Sequence, residues 1–313
     1  STANPNLLAG AAVRQYPLSG FTGLPTCTNG SLRPFGLKFY NGKGYLGLVC
    51  DAATSATMVA PPELVAFVVS FDPKNPTAFT TVLSYDLDYT REPYYQQSSG
   101  ANLVNATWQR WMDTWNNAQV IANGQGFPSG TNLGFVSAAQ PVVSDIEFSN
   151  NGDMIIGMMD RFPHQQGWAN YRAISGTTNF ANGGTAGDMV YARNNSGVYT
   201  LEQGEADAKG TPIGFKTNDG PTNAGEYFWG DYYTGTDASH HEITLGSLAV
   251  LPGTGEVVAP AFDANNFFTQ GIRWMNVTTG NFTDSYRIVS GSFGSPNGFG
   301  KGSALGDIEL LCA

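Results

Sequence analysis

The chain has 313 residues, enough for one large β domain or two ordinary ones, and 41% of them are hydrophobic and 12% aromatic, as in a folded protein with a full core. Only 13% are charged, and the balance is acidic: 15 Lys and Arg against 25 Asp and Glu, a formal net charge of −10 and a pI near 4.6. That balance argues against nucleic-acid partners and against an anionic membrane surface, and no apolar run approaches the ~18 residues of a membrane-spanning helix.

Thirty-nine Gly, with abundant Asn, Thr, Ser and aromatic residues, favour strands joined by tight turns over helices. Residues 1–30 are polar and Gly-rich, with one short strand predicted at 13–18. The stretch 33–51, RPFGLKFYNGKGYLGLVCD, reads as a hairpin about Asn41-Gly42. LVAFVVSF (64–71), closed by Asp72-Pro73, and FTTVLSYDL (79–87) follow as third and fourth strands. Four strands in succession is the pattern of one β-propeller blade. Residues 89–140 read as irregular. Within them Trp108, Trp111 and Trp115 have helical spacing. This predicts a short helix packing its rings on the core, with a sugar- or peptide-stacking platform as the alternative.

The segment 142–161, VVSDIEFSNNGDMIIGMMDR, is the clearest unit: strand, Asn/Gly turn, strand, terminal Asp. On its first strand Asp145 and Glu147 alternate with Ile146 and Phe148, which sets both carboxylates on one face. Two more strands are predicted in 187–202, around Asn-Asn-Ser-Gly. Residues 203–239 form a second long insertion ending in EYFWGDYYTGTD. The hairpin pattern returns at 246–263, followed by strands at 271–277 and 282–289. Finally GDIELLC (306–312) repeats SDIEF, and the strand at 13–18 is expected to complete its blade. These elements predict an all-β chain: a single β-propeller domain over 1–313, of about five to seven blades. Its insertions lie at 89–140 and 203–239, and its ring is closed by the N- and C-terminal strands.

Candidate chemistry is sparse. First strands of propeller blades line the central channel, so Asp145, Glu147, Asp307 and Glu309 are candidate ligands for a hard cation such as Ca²⁺, which takes about six to eight oxygens. The alternative is that each Asp accepts backbone N–H bonds and fixes the channel loops. Gly36 and Ser247 hold the same position in other hairpins, so the ring of charge is incomplete. His240, His241 and His164 are the candidate bases or metal ligands. His240 shares a strand face with Glu242, and zinc would need at least ~3 convergent ligands. A structural histidine beneath the aromatic insertion is the other reading. Asp160 and Arg161 are expected to pair and organise a loop. Tyr227, Phe228, Trp229, Tyr232 and Tyr233 either cap the core or stack on a glycan. Cys27, Cys50 and Cys312 allow one pair plus one spare, and a disulfide suits a composition of secreted character. No GxSxG elbow, Walker loop, HExxH or EF-hand loop is present.

The strings RPFGLKFYNGKGYLGLVCDA, VLSYDLDYTRE, VSDIEFSNNGDMIIGMMDRF, HHEITLGSLAVLPGTGEVV, GIRWMNVTTG and LGDIELLC resemble a known arrangement. It is the N-terminal propeller-like region of large bacterial surface proteins that continue into serine-aspartate-repeat B-type immunoglobulin-like modules. The resemblance spans residues 30–312. It implies export, display at the cell surface and an adhesive or structural role, with no catalytic residues to carry over. Two functional expectations follow. One is a secreted or surface module binding a glycan, a protein partner or copies of itself. The other is a metal-dependent propeller hydrolase, lactonase- or esterase-like, with a channel cation on Asp145, Glu147, Asp307 and Glu309 and a histidine as base.

Overall fold

The computed structural model describes residues 17–92, 94–97, 102–104, 106–113, 135–167, 170–171, 180–202, 220–221, 225–235, 238–267, 269–290 and 305–310. In chain order the strands begin with β1 (Leu32–Tyr40), β2 (Lys43–Cys50), β3 (Val65–Asp72) and β4 (Asn75–Asp86). Short strands follow: β5 (Tyr95–Gln97), β6 (Asn102–Val104) and β7 (Phe135–Val136). The central hairpin is β8 (Pro141–Phe148) and β9 (Met154–Asp160), leading into a helix, α1 (Arg161–Gln166). Then come β10 (Asn170–Tyr171), β11 (Phe180–Gly183), β12 (Asp188–Asn195) and β13 (Val198–Leu201). The last strands are β14 (Tyr233–Thr234), β15 (Ala238–His240), β16 (Ala249–Leu251), β17 (Glu256–Phe262), β18 (Thr269–Asn276) and β19 (Phe282–Ser290).

These strands make separate sheets: β1-β2-β3-β4, β13-β12-β9-β8, β16-β17-β18-β19, β14-β15-β5-β6 and the small β10-β11-β7. The first three are antiparallel, and they follow from turn chemistry. Asn41 and Gly42 join β1 to β2 with φ 46° and 76°, and Ser196 and Gly197 join β12 to β13 with φ 56° and 93°. Positive φ at both turn positions matches the twist of the flanking strands. Three of the hairpins end on a buried aspartate: Asp51, Asp160 and Asp263. Asp51 receives the Ser31 and Ala53 N–H groups and the Arg33 guanidinium, and so anchors the loops at that end of its sheet.

The sheets pack face to face in series. Tyr45, Val49 and Val68 of the first sheet meet Val143, Ile146 and Val190 of the β8-containing sheet. The other face of that sheet sets Ile155 and Met189 against Leu248, Val257 and Met275 of the β16-containing sheet. Covered on both sides, β9 reads as the continuous apolar run MIIGMM, whereas the outer strand β4 alternates buried and exposed positions. Burying Ile156 fully contributes on the order of 2–3 kcal/mol. A Cys27–Cys50 disulfide ties the N-terminal segment to β2, and Cys312 lies outside the described residues. No helix among the described residues is long and apolar enough to cross a membrane.

Three expectations are corrected. Around Trp108 and Trp111 there is no helix: the N–H groups of Gln109, Arg110 and Trp111 donate to Ala139, Met58 and Asp51, so they serve three other segments instead of a helical ladder. Residues 305–310 form no strand. The ring closure expected from terminal strands is therefore absent there, and residues 13–16 of its proposed partner lie outside the described residues. No closed ring or barrel occurs among the described strands. The supposedly irregular stretches also hold structure, because β5 and β6 from one insertion and β14 from the other join β15 in one sheet.

Candidate functional site

Asp145 and Glu147 lie on β8, whereas Asp307 and Glu309 lie on the non-strand segment 305–310. Asp145 accepts from the Ile146 N–H at 2.7 Å and from the Leu248 N–H at 2.8 Å, the second bond bridging to the neighbouring sheet. Burial is the chief cause that pushes its carboxyl up to about 6, with Asp307 adding to it. Glu147 pairs with Lys38. Asp307 is bonded to the Ser247 hydroxyl and to the Ile308 N–H, and both Asp307 and Glu309 are exposed. The four do not converge as a ligand set: among the described residues the one convergent acidic trio is elsewhere. In this arrangement Asp145 serves the backbone, Glu147 pairs with Lys38, and Asp307 and Glu309 are exposed.

The convergent trio is Asp188, Glu226 and Glu242, whose oxygens lie within 4.8 Å of one another, all buried. Asp188 opens β12, Glu226 precedes β14 and Glu242 follows β15. Gly187 brings two of these segments together. Its N–H donates to the Glu242 carbonyl, and a Cβ at this position would sit 1.9 Å from the Thr244 oxygen. Glu242 holds φ at 57°, a left-handed conformation that costs a residue with a Cβ roughly 1–2 kcal/mol.

Arg91 is the counter-charge. Its guanidinium donates to Glu242 at 2.9 Å, lies 3.7 Å from Asp188, and also donates to the carbonyls of Ala106, Ala186 and Gly187. Its cation stacks 3.7 Å from the centre of the Trp108 ring. Trp108 donates to the Tyr89 hydroxyl, which donates to Asp188. Burial disfavours charge on Arg91, yet Glu242 and Asp188 outweigh it and hold the proton more tightly than usual. Burial, reinforced by neighbouring carboxylates, pushes Glu226 and Glu242 well above the ordinary carboxylate range and Asp231 up to about 8.

The histidines flank this seam and go to different partners. His240 pairs with Asp263 and stacks on Tyr94 at 5.3 Å. His241 pairs with Glu92, meets the Ser239 hydroxyl at 3.0 Å and stacks over Tyr232. His164 lies on α1 and is exposed. Asp160 caps α1 by accepting the Phe162 N–H, while Arg161 stacks on Trp111 at 4.3 Å. The histidines therefore do not share one site.

The predicted aromatic platform divides in two. Tyr227, Phe228, Trp108 and Trp111 are core residues, 3%, 0%, 0% and 8% exposed. Their faces are covered, so the stacking role is withdrawn for them. Tyr227 stacks on Tyr191 at 4.1 Å, and Trp111 is pinned by a bond to the Pro141 carbonyl. Trp229, Tyr232 and Tyr233 are half-buried and, with Phe282, wall an open cleft of about 460 Å³ whose rim carries Asn265, Asn281 and Ser285. Arg273 builds its floor, donating to the carbonyls of Gly230, Tyr232 and Ala264 and stacking on Phe282 at 4.5 Å. Trp229 and Tyr232 also line the closed space behind, with Glu226, Asp231, His241 and Glu242. Sequence reading missed Arg91, Asp188, Glu226, Phe282 and Arg273 because they are isolated letters on distant segments.

No protein-family profile matches this chain. It is similar to three proteins of Dictyostelium discoideum: Colossin-A (28% identical, 90% of this chain), Colossin-B (26%, 91%) and Colossin-C (26%, 98%). The chain spans only 2%, 7% and 27% of the length of these relatives. They are eukaryotic, which overturns the resemblance to bacterial surface proteins. Among solved structures, a protein of unknown function from Dyadobacter fermentans aligns over 82% of this chain and 69% of its own at 10% identity and TM-score 0.25. A puromycin-hydrolyzing peptidase from Mycobacterium tuberculosis aligns over 82% and 32% at 11% identity and TM-score 0.26. Neither likeness is strong enough to bear on the fold.

Proposed function

We propose that this chain is an extracellular recognition module that binds a glycan in the cleft of Trp229, Tyr232, Tyr233 and Phe282. The observation that carries this reading is the lining itself: aromatic faces beside the carboxamides of Asn265 and Asn281. Neutral sugars are held by that combination, with rings stacking on C–H faces and amides bonding hydroxyls. The Cys27–Cys50 disulfide supports an oxidising compartment. The small share of each relative that the chain spans supports a modular role within longer proteins. A second reading, a protein partner or a further copy of this chain, is favoured by Tyr286 and Ile288, which stand 62% and 56% exposed on the edge strand β19.

The scaffold we read beneath this is a single propeller-like domain. Support comes from the succession of inner segments. A Cβ on Gly36 of β1 would lie 3.0 Å from the Asp145 nitrogen of β8, Asp145 bonds Leu248 before β16, and Ser247 bonds Asp307. A metal-dependent hydrolase would need its cation ligands to converge, and Asp145, Glu147, Asp307 and Glu309 are not a convergent group, which weighs against that use.

A glycan array on the full chain tests the proposal. Retention of a defined glycan, weakened at least ~10-fold by Trp229→Ala and by Phe282→Ala with the melting temperature nearly unchanged, supports it. Binding untouched by both substitutions, or no glycan retained at all, overturns it. Light scattering that detects a stable dimer in the latter case moves the assignment to self-association.

A further inference from the structure

We infer that Asp188, Glu226 and Glu242 form a binding site for a hard divalent cation, calcium being the best fit, buried behind the aromatic cleft. The three oxygens lie within 4.8 Å of one another. Calcium–oxygen distances of about 2.3–2.6 Å place ligands on opposite sides of the ion about that far apart. The charges agree. Three carboxyl groups face one guanidinium, Arg91, so their full ionisation would leave two negative charges without a partner of opposite sign. An uncompensated charge in the interior is strongly disfavoured, and a bound cation relieves it.

The second observation is independent of this count. Glu226 is 7% exposed, and its Oε1 atom is buried with no hydrogen-bond partner while the side chain faces the closed space shared with Asp231 and Glu242. A buried acceptor left unsatisfied is uncommon and calls for an explanation such as an ion. The offered atoms are all oxygens, and His241 is engaged by Glu92 and Ser239, so the set suits a hard ion over zinc. Magnesium keeps several waters, whereas calcium accepts many protein oxygens, so three buried carboxyl groups suit calcium better. Shared protons are the competing way to neutralise the seam, since burial already favours the protonated carboxyls. The inference stands apart from the glycan reading, which concerns the open cleft.

The test uses the full chain, stripped with a chelator and dialysed, then titrated with calcium while bound metal and thermal unfolding are measured. The expected result is one calcium per chain, a raised melting temperature, and at least ~10-fold weaker binding in Glu226→Gln with Glu309→Gln unchanged. Absence of stoichiometric calcium, or Glu226→Gln binding as tightly as the parent, overturns the site. A Glu226→Gln chain that binds no metal and melts higher than the metal-free parent counts as overturning it only if the parent also binds none; the seam is then neutralised by protons. Should Glu226→Gln fail to fold, crystals of the parent grown with calcium decide. An anomalous peak among the three carboxylates supports the site, and no peak there overturns it.

Discussion

Two sets of carboxylates lie in this protein, and they are opposites. Asp145, Glu147, Asp307 and Glu309 come from a repeated string, DIEF and DIEL, the first on β8 and the second on a segment without strand structure. Asp188, Glu226 and Glu242 share no motif and span more than fifty positions of chain, yet their oxygens meet. Asp145, Glu147 and Asp307 of the repeated set are taken up one by one, by backbone N–H groups, a lysine and a hydroxyl. In the scattered set Asp188 and Glu242 meet Arg91, and Glu226 and Glu242 line a closed space beside it. The repeated aspartate marks a backbone need shared by Asp145 and Asp307, each of which accepts the N–H of the residue after it. Convergence of charge marks a demand made once, by the fold as a whole.

The largest expected effect breaks the scattered set. Arg91→Ala removes donors to Glu242 and to the carbonyls of Ala106, Ala186 and Gly187, and leaves buried carboxylates unpaired. It should destabilise the chain by about 3–5 kcal/mol in denaturant unfolding. A loss below about 1 kcal/mol, the range of exposed pairs, would put Arg91 outside the seam. Asp145→Ala should cost less, about 1–3 kcal/mol, for the stranded Leu248 N–H. Asp145→Asn, which keeps an acceptor oxygen, should restore most of it. Equal damage from both would show that charge, and not backbone bonding, is what Asp145 supplies.

A pH series sharpens the contrast further. Burial raises Asp145 to about 6 and Asp160 to about 7 in the folded chain. The unfolded chain releases those protons near pH 4 by the usual value of about 3.9. Their protonation thus stabilises the fold fully below about pH 4, and that stability is lost as pH rises through about 6 and then about 7. Asp145→Asn should flatten the lower part of the decline and leave the upper part. The smallest effect belongs to Lys38→Met, since the pair with Glu147 is partly exposed: about 0–1 kcal/mol, diminished further by salt.

The hairpins were legible in the sequence because turn chemistry is local. Asn41-Gly42 and Ser196-Gly197 announce positive φ, and MIIGMM announces a strand covered on both faces. The alternation of Asp145 and Glu147 with Ile146 and Phe148 was legible, and the backbone N–H bonds that Asp145 and Asp307 accept were one of the two readings offered. What escaped is non-local. GDIELLC carries the letters of a first strand, but its described residues find no neighbouring strand and hold on by Asp307 and Ile308 to Ser247 alone. The helical spacing of Trp108 and Trp111 was overridden because the backbone N–H groups of Gln109, Arg110 and Trp111 bond to three other segments. Of the aromatic run, only packing could separate Tyr227 and Phe228, which are core, from Trp229, Tyr232 and Tyr233, which wall the cleft.

A double-mutant cycle between Arg91 and Glu242 probes this convergence most directly. With Arg91→Met, Glu242→Gln and the double substitution unfolded in denaturant, the two sites should couple by about 1–3 kcal/mol, as groups in one buried network do. The same cycle between Arg91 and Asp145 should be additive within about 0.5 kcal/mol. Additivity between Arg91 and Glu242 would contradict the account, because the two would then not share a seam.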